Sequence, residues 1–156
     1  MIQGIPLPAT DDPLDSEFWA QARLGQLVVQ CCEDCGEMRF PPRPMCPSCQ
    51  SERIGWRKDD GEAVVWSFAS PSPPLLPAFE ALLPYVVVIG ALRSNPAIRI
   101  AGMAVVGNES EPDSLARLRI EIGQPICMRF RAMNEDCSLP IWSIEPWADR
   151  AFGSEQ

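Results

Sequence analysis

Two Cys-x-x-Cys pairs hold the residues of this chain best suited to chemistry. The four cysteines are Cys32, Cys35, Cys46 and Cys49, and ten residues separate the two pairs. If the backbone turns tightly at each pair, the two knuckles supply four thiolates to one tetrahedral ion. Gly36 suits the first knuckle because glycine takes positive φ freely. Gln50 takes the equivalent place after the second pair, which makes that half of the pattern weaker.

The four sulfurs predict a structural zinc site, although three other uses of cysteine must be considered. A pair of disulfides needs an oxidising compartment, and residues 1 to 10 have neither a basic start nor a continuous apolar run. A redox Cys-x-x-Cys motif is expected beside a βαβ pattern, which the sequence lacks. Iron bound by the same four ligands, as in rubredoxin, stays open at this point.

The rest of the composition argues against catalysis by this chain. The 156 residues include no histidine and carry a net charge of −8. The missing histidine excludes every Cys-His and Ser-His-Asp arrangement and every mixed Cys/His zinc site. The acidic balance argues against a general binder of polyanions. Three cysteines remain. Cys31 adjoins a ligand and could compete with Cys32, but Cys32 gives the Cys-x-x-Cys spacing with Cys35 and is preferred. Cys127 and Cys137 are expected to be packed thiols and not nucleophiles.

The first sixty residues predict a helix followed by a zinc ribbon. Asp12 and Pro13 suit a helix start, and Gly25 suits its end, which gives a helix of about three turns. Around the knuckles we expect three short strands, at 27–29, 38–40 and 53–56. The ribbon's basic and acidic residues nearly balance, so a nucleic-acid role, which requires a basic excess, is a minor alternative.

From residue 61 the pattern changes to the alternation of half-buried strands. The predicted strands cover 63–68, 85–92, 98–106, 118–122, 126–133 and 139–144, with Gly102 expected to mark a bulge or bend. Strands 85–92 and 98–106 should form a hairpin around a Ser-Asn-Pro turn. Short antiparallel strands of this number predict a small barrel, and the OB-fold fits the size best. The fold class is therefore mainly β.

One oily segment, residues 70–84, interrupts the strand pattern. Its five prolines exclude a central strand, although a helical turn fits residues 78–83. Surface loops are rarely so apolar, so the segment is expected either to cover the barrel's own core or to form a wall for an apolar ligand or a partner. The residues of this segment expected to contact such a ligand are Leu75, Leu76 and Phe79. The longest apolar run of the whole chain, Ala81 to Leu92, is interrupted by Pro84 and is too short to cross a bilayer, so we expect a soluble, cytoplasmic protein.

Taken together, these motifs resemble a known family. The stretches LVVQCCEDCGEMRFPPRPMCPSC, VVWSF, PYVVVIGAL, IGQPICMRF and SLPIW, with Phe18-Trp19 on an N-terminal helix, are similar to small proteins associated with acyl-CoA metabolism. Those proteins join a rubredoxin-like zinc ribbon to a C-terminal OB-fold. The resemblance covers roughly residues 14 to 145. It implies a division into an arm and helix (1–25), a zinc ribbon (26–58), an OB-fold (59–148) and a tail (149–156).

The resemblance also implies a role in a complex. Such proteins look like accessory subunits of thiolase-like enzymes that convert acyl-CoA thioesters, and others accompany hotdog-fold enoyl-CoA hydratases. The partner would carry the catalytic residues, so no catalytic residue is expected in this chain. The residues expected to contact the partner are Phe18, Trp19, Phe40 and Arg43. For the helix residues Phe18 and Trp19, packing of the helix on this chain's own ribbon or barrel is an equal alternative. The residues expected near acyl-CoA are the lid residues Leu75, Leu76 and Phe79, with Arg39 and Arg57 as ligands for phosphate.

Overall fold

The structure is a computed structural model that describes residues 4–106 and 120–144. Part of the predicted strand at 118–122 and the tail at 149–156 lie outside the described residues, as does the stretch at 108–112, which the sequence predicts to be a polar loop. The described end of that strand, 120–122, is not strand and leads into a turn at Gly123, whose φ is +84°. Neither of the two described helices, of eight and four residues, is long enough to cross a membrane.

Helix α1 spans Ser16–Arg23, so it begins three residues later than the predicted start at Pro13. Asp12 instead starts a turn, in which its carboxylate accepts the Leu14 N–H at 2.8 Å and its carbonyl accepts the Ser16 N–H at 2.8 Å. Gly25 ends the helix as predicted, with φ at +73° and its N–H donated to the Ala22 carbonyl at 3.0 Å.

The zinc ribbon is a three-stranded antiparallel sheet in the order β2-β1-β3. Strand β1 spans Leu27–Cys32, β2 spans Met38–Arg39 and β3 spans Ile54–Asp59. The central strand is buried along almost its whole length, since it has a neighbour on both sides. It ends at Cys32, which places the first ligand at the tip of the sheet.

Five strands then close into a barrel in the order β4-β5-β6-β8-β7. Their bounds are β4 Glu62–Ala69, β5 Val87–Leu92, β6 Arg99–Val106, β7 Pro125–Ala132 and β8 Ser138–Ile144. Strands β6 and β8 pair in parallel, and every other pair is antiparallel. The sequence predicts a small antiparallel barrel of five or six strands; the structure has a closed barrel of five, in which the β6–β8 pair is parallel. The predicted β5–β6 hairpin is confirmed.

Trp142 fills the interior of the barrel. It is fully buried, and its indole N–H donates to the Ile100 carbonyl at 3.1 Å. Two glycines make room for the ring, because a Cβ on Gly90 would lie 2.4 Å from it and a Cβ on Gly102 would lie 3.1 Å from it. The predicted bulge at Gly102 is wrong: the β5–β6 register runs through it unbroken, and its glycine serves close packing instead.

Phe18 joins the helix, the ribbon and the barrel at one point. Its side chain is 3% exposed, and its ring lies 4.9 Å from Trp19, 5.5 Å from Phe40 and 6.3 Å from Phe130, measured between ring centroids. Phe40 follows the second ribbon strand, and Phe130 belongs to β7. The apolar face of α1 therefore packs on this chain's own ribbon and barrel.

The oily segment lies over the barrel and contains one short helix, α2, at Pro77–Glu80. Leu82 is buried at 8% exposure, so the segment does cover part of the barrel core. Leu76, in contrast, is 61% exposed. The use of the segment as a wall for an apolar ligand or a partner stays a prediction.

Candidate metal centre

The four predicted cysteine ligands meet at the tip of the ribbon. Their sulfur atoms all lie within 4.8 Å of one another, with 3.6 Å between Cys32 and Cys49 and 3.6 Å between Cys35 and Cys46. A tetrahedral zinc with bonds of about 2.3 Å needs sulfurs about 3.8 Å apart. The donor set therefore fits a structural zinc ion, which would bind all four thiolates and connect the two knuckles.

The two knuckles share one backbone design despite their different sequences. Gly36 donates its N–H to the Cys32 carbonyl at 2.9 Å, and Gln50 donates its N–H to the Cys46 carbonyl at 2.9 Å. Gly36 has φ at +75°, and Gln50 takes φ at +61° without being glycine. Gln50 therefore adopts the left-handed conformation that the sequence suggested only for Gly36.

Each knuckle buries one ligand and exposes the other. Cys32 and Cys46 are 2% and 1% exposed, whereas Cys35 and Cys49 are exposed. The backbone amide of Cys35 makes the largest contribution to the lowered pKa of the Cys32 thiol, which falls to about 6, and that of Cys49 likewise lowers the pKa of Cys46. Amide donors thus favour the thiolate form of the two buried ligands, which is the form that a metal binds. Contact with Cys49 and the other cysteines instead raises the pKa of the Cys35 thiol to about 12, and desolvation together with the neighbouring cysteines raises the pKa of Cys49.

Next to the metal ligands, a polar clamp joins the two knuckles across the tip. Arg53 donates from two guanidinium nitrogens to the two carboxylate oxygens of Asp34, one of them at 3.1 Å from Nε, and Ser51 donates its hydroxyl to the same carboxylate. The Ser51 hydroxyl also accepts the Arg53 N–H at 3.0 Å. Hydrogen bonds from Arg53, and then from Ser51, lower the pKa of the Asp34 carboxyl. Since Asp34 lies within the first knuckle and Ser51 follows the second, the clamp fixes their relative position.

Beneath the tip, a buried glutamine organises the loop between the knuckles. Gln30 is fully buried, and its side-chain oxygen accepts from Arg39 Nε and, at 2.9 Å, from the Arg43 N–H. Arg39 is 6% exposed, and its two terminal nitrogens have no acceptor among the described residues. The prediction that Arg39 binds phosphate at the surface is therefore wrong, because its guanidinium is buried in the ribbon.

Of the four predicted partner-contact residues, Phe18 needs correction. Its ring is buried between the helix, the ribbon and the barrel, so it offers no surface to another subunit. Trp19 and Phe40 are half-buried and Arg43 is exposed. Their contact with a partner stays a prediction.

The predicted acyl-CoA residues do not meet at one place. Arg57 lies on ribbon strand β3, where it contacts the Met38 sulfur at 3.7 Å, while Leu75 and Phe79 pack on the barrel core. Phe79 lines a cavity of about 370 Å³, but neither Arg57 nor Arg39 does. Arg131 is the charged residue that lines this cavity. Because successive side chains of a strand point to opposite faces, Arg131 lies on the same face of β7 as Arg129. Only the packing of the segment at 70–84 over the barrel reveals where that face lies.

The centre itself leaves no position for a reaction. Four sulfur ligands complete a tetrahedral zinc, so no site remains for a water molecule or a substrate. The other cysteines do not belong to the four-sulfur cluster. Cys31 is half-buried and lies beside Gly55. Cys137 is buried, and its burial raises the pKa of its thiol. A metal ion bound by the four cysteines would fix the conformation of the ribbon, including the loop of residues 41–45.

Comparison with known proteins agrees with this description. The family model described as "ChsH2, rubredoxin-like zinc ribbon domain" matches residues 19–55, which include all four ligands. The chain is 31% identical over 106 residues to a DUF35 domain-containing scaffold protein of Methanothermobacter thermautotrophicus, an alignment that covers 67% of this chain and 71% of that protein.

A second relative is longer than this chain. The chain is 31% identical over 140 residues to a probable enoyl-CoA hydratase alpha subunit of Thermomonospora curvata. The alignment covers 88% of this chain but 39% of the relative, so the chain spans about two fifths of that protein's length.

Two solved structures share the fold. A chain of the Ltp2-ChsH2(DUF35) aldolase is 28% identical, with a TM-score of 0.71 over 89% of this chain and 98% of that one. A DUF35-family protein of unknown function from Sulfolobus solfataricus has a TM-score of 0.54 at 15% identity, with 85% of each chain covered, and supports the fold alone.

Proposed function

The chain belongs to the DUF35 family, and from that premise we propose that it is a zinc-binding accessory subunit, without catalytic residues of its own, of a heteromeric thiolase-like enzyme. The enzyme would convert acyl-CoA thioesters by acyl transfer, thiolysis or retro-aldol cleavage. This chain would dock on the catalytic subunit and help to shape the acyl-CoA site.

The observation that carries the proposal is the likeness to a chain of the Ltp2-ChsH2(DUF35) aldolase, which extends over 98% of that chain. Two features of this molecule support it. The metal centre has four sulfur ligands and no open position, and the sequence contains no histidine to act as a base. Both features suit a protein that supplies a surface to an enzyme.

The ribbon loop between the knuckles is the best candidate for the docking surface. Three prolines stiffen residues 41–45, and the loop is fixed below by the hydrogen bond between the Arg43 N–H and Gln30. Arg43 is exposed, and Met45 next to the second knuckle is 46% exposed. A rigid loop with an exposed apolar tip and a cation loses little conformational entropy on binding. The half-buried rings of Trp19 and Phe40 would extend this surface.

A hydratase partner is the alternative. It is favoured by one observation, the 31% identity to the probable enoyl-CoA hydratase alpha subunit across 88% of this chain. In that arrangement this chain would correspond to about two fifths of a longer subunit, and a hotdog-fold protein would carry the catalytic residues.

Co-expression with each candidate partner from the source genome tests the proposal. We expect a tagged chain to retain a thiolase-like subunit through size-exclusion chromatography, and the complex, but neither protein alone, to turn over an acyl-CoA thioester. Arg43→Ala together with Met45→Ala should weaken retention, whereas the control Lys58→Ala, an exposed cation on β3, should not. Retention of a hydratase subunit instead would favour the alternative. Turnover by this chain alone, or retention of neither partner, would contradict both.

A further inference from the structure

The cavity under the oily segment has the composition of a binding site. It is a half-open cavity of about 370 Å³, lined by residues of the outer face of the barrel, helix α1 and the segment at 70–84, within the size range of small-molecule sites. Its lining includes Val87, Met103 and Ile141 from the barrel strands, Trp19 from α1 and Phe79 from α2. Carbon atoms make up most of its surface, so water molecules in it would form few hydrogen bonds with the protein.

Two residues of this lining, Trp19 and Arg131, each carry a buried hydrogen-bond donor that has no acceptor among the described residues. The two donors are Trp19 Nε1 and Arg131 Nε. Buried polar groups are almost always paired, so two unpaired donors among the residues of one cavity need an explanation. An acceptor group lodged between α1 and β7 would provide it.

The charge in the cavity narrows the choice of acceptor. Arg131 is the one charged residue among those that line it, and no carboxylate of the described residues lies there to balance the guanidinium. A buried or half-buried guanidinium is stabilised most by a planar anion that accepts from Nε and a terminal nitrogen together. A phosphate would need several more donors, which the carbon walls do not offer.

We propose that this cavity binds a small organic monocarboxylate with an aliphatic or aromatic body. Its carboxylate would accept from Arg131 and from the Trp19 indole N–H, and its apolar body would pack against Val87, Met103, Ile141 and Phe79. The site is separate from the zinc centre and requires no partner subunit. Its failure would therefore leave the proposed accessory function untouched, and the reverse also holds.

Binding of octanoate to the purified, zinc-loaded full chain tests the proposal, with 1-octanol as the matched neutral probe. By isothermal titration calorimetry at neutral pH we expect one octanoate per chain and at least ten-fold weaker binding of octanol. Arg131→Met should weaken octanoate binding at least ten-fold without changing octanol binding. Trp19→Phe, which keeps the ring and removes the donor, should weaken octanoate binding several-fold.

Two further variants keep the test decisive. Arg129→Met removes an exposed cation from the same strand, outside this cavity, and should leave octanoate binding unchanged. Val87→Phe should reduce the volume of the cavity and weaken the binding of both probes; it serves as the second test if Arg131→Met fails to fold, as judged by zinc content and thermal melting. Equal binding of the two probes, an unaffected Arg131→Met or Val87→Phe variant, or no saturable binding would overturn the proposal.

Discussion

Asp34 and Arg53 form an ion pair that ties the first zinc knuckle to the chain leaving the second. The guanidinium donates to both carboxylate oxygens, and Ser51 donates its hydroxyl to one of them. Both charged side chains are partly exposed, so their attraction is screened by solvent and contributes little to global stability. Its importance lies in its position, since it resists separation of the two halves of the metal site.

Asp34→Asn should therefore speed the loss of zinc more than it lowers the melting temperature. We expect the transfer of zinc to a coloured chelator to become roughly two- to five-fold faster at neutral pH, because the exposed pair is worth little energy. Hydrogen bonds from Arg53 lower the Asp34 pKa, so the clamp is fully formed above the ordinary carboxyl pKa and is lost as pH falls through the lowered value. The exposed Glu37→Gln variant is the control. Equal transfer rates in all three proteins would show that the clamp has no such role.

Loss of one ligand should unfold the ribbon. Cys35→Ala leaves three sulfurs, and because the folding of such sites is coupled to metal binding, we expect loss of tightly bound zinc and of the ribbon's protected amides in hydrogen exchange. The matched control is Cys31→Ala, which removes a half-buried thiol next to a ligand but outside the cluster. Zinc loss from the Cys31 variant, or full retention in the Cys35 variant, would mean that the ligands are assigned wrongly.

Gln30 should contribute more to the stability of the ribbon than most neutral side chains do. It is fully buried and is the acceptor for the buried guanidinium of Arg39 as well as for the Arg43 N–H. Gln30→Leu leaves that cation without its acceptor, and we expect a loss of about 2–4 kcal/mol in the free energy of unfolding. Denaturant melts measure it, with exposed Gln26→Leu as the control. Adding Arg39→Met should recover part of the loss; if the double variant is no more stable than Gln30→Leu, the two residues are not coupled in this way.

Gly90 should tolerate no side chain. A Cβ there would lie 2.4 Å from the Trp142 ring, which fills the barrel and cannot withdraw. We expect Gly90→Ala to cost about 1–3 kcal/mol, the usual range for an overpacked core. Trp142→Phe removes the atoms that clash, so in a double-mutant cycle the two substitutions should be less harmful together than the sum of their separate effects. Simple additivity would indicate that the strain is relieved elsewhere.

The sequence predicts those parts of the fold that depend on local spacing. The Cys-x-x-Cys pairs fix the metal ligands, and the alternation of apolar residues predicts the strands that close into the barrel. Gln50 shows the limit of a residue-type rule, because the second knuckle imposes positive φ on a residue that rarely takes it. Gly102 shows another: a glycine within a strand indicates a bulge or a close approach equally well, and the partner in that approach, Trp142, is distant in sequence.

The candidate sites that depend on long-range packing could not be predicted in the same way. The sequence indicates an apolar face on α1 but leaves open whether that face packs on a partner or on this chain's own ribbon and barrel. In the structure Phe18 packs on Phe40 and Phe130. The burial of Arg39 depends on pairing with a glutamine in the neighbouring strand. Arg131 becomes a cavity residue only when the segment at 70–84 folds over the barrel.

X-ray absorption at the zinc edge of the purified chain tests the central claim most directly, because it counts the ligand atoms around the metal. A closed structural centre predicts one zinc per chain with four sulfur neighbours at about 2.3 Å and no lighter ligand. Three sulfurs with one oxygen or nitrogen would reveal an open coordination position able to activate water, and an iron edge in native material would reveal a redox-active metal. Either result would contradict the account of this chain as a subunit that contributes structure and leaves the chemistry to its partner.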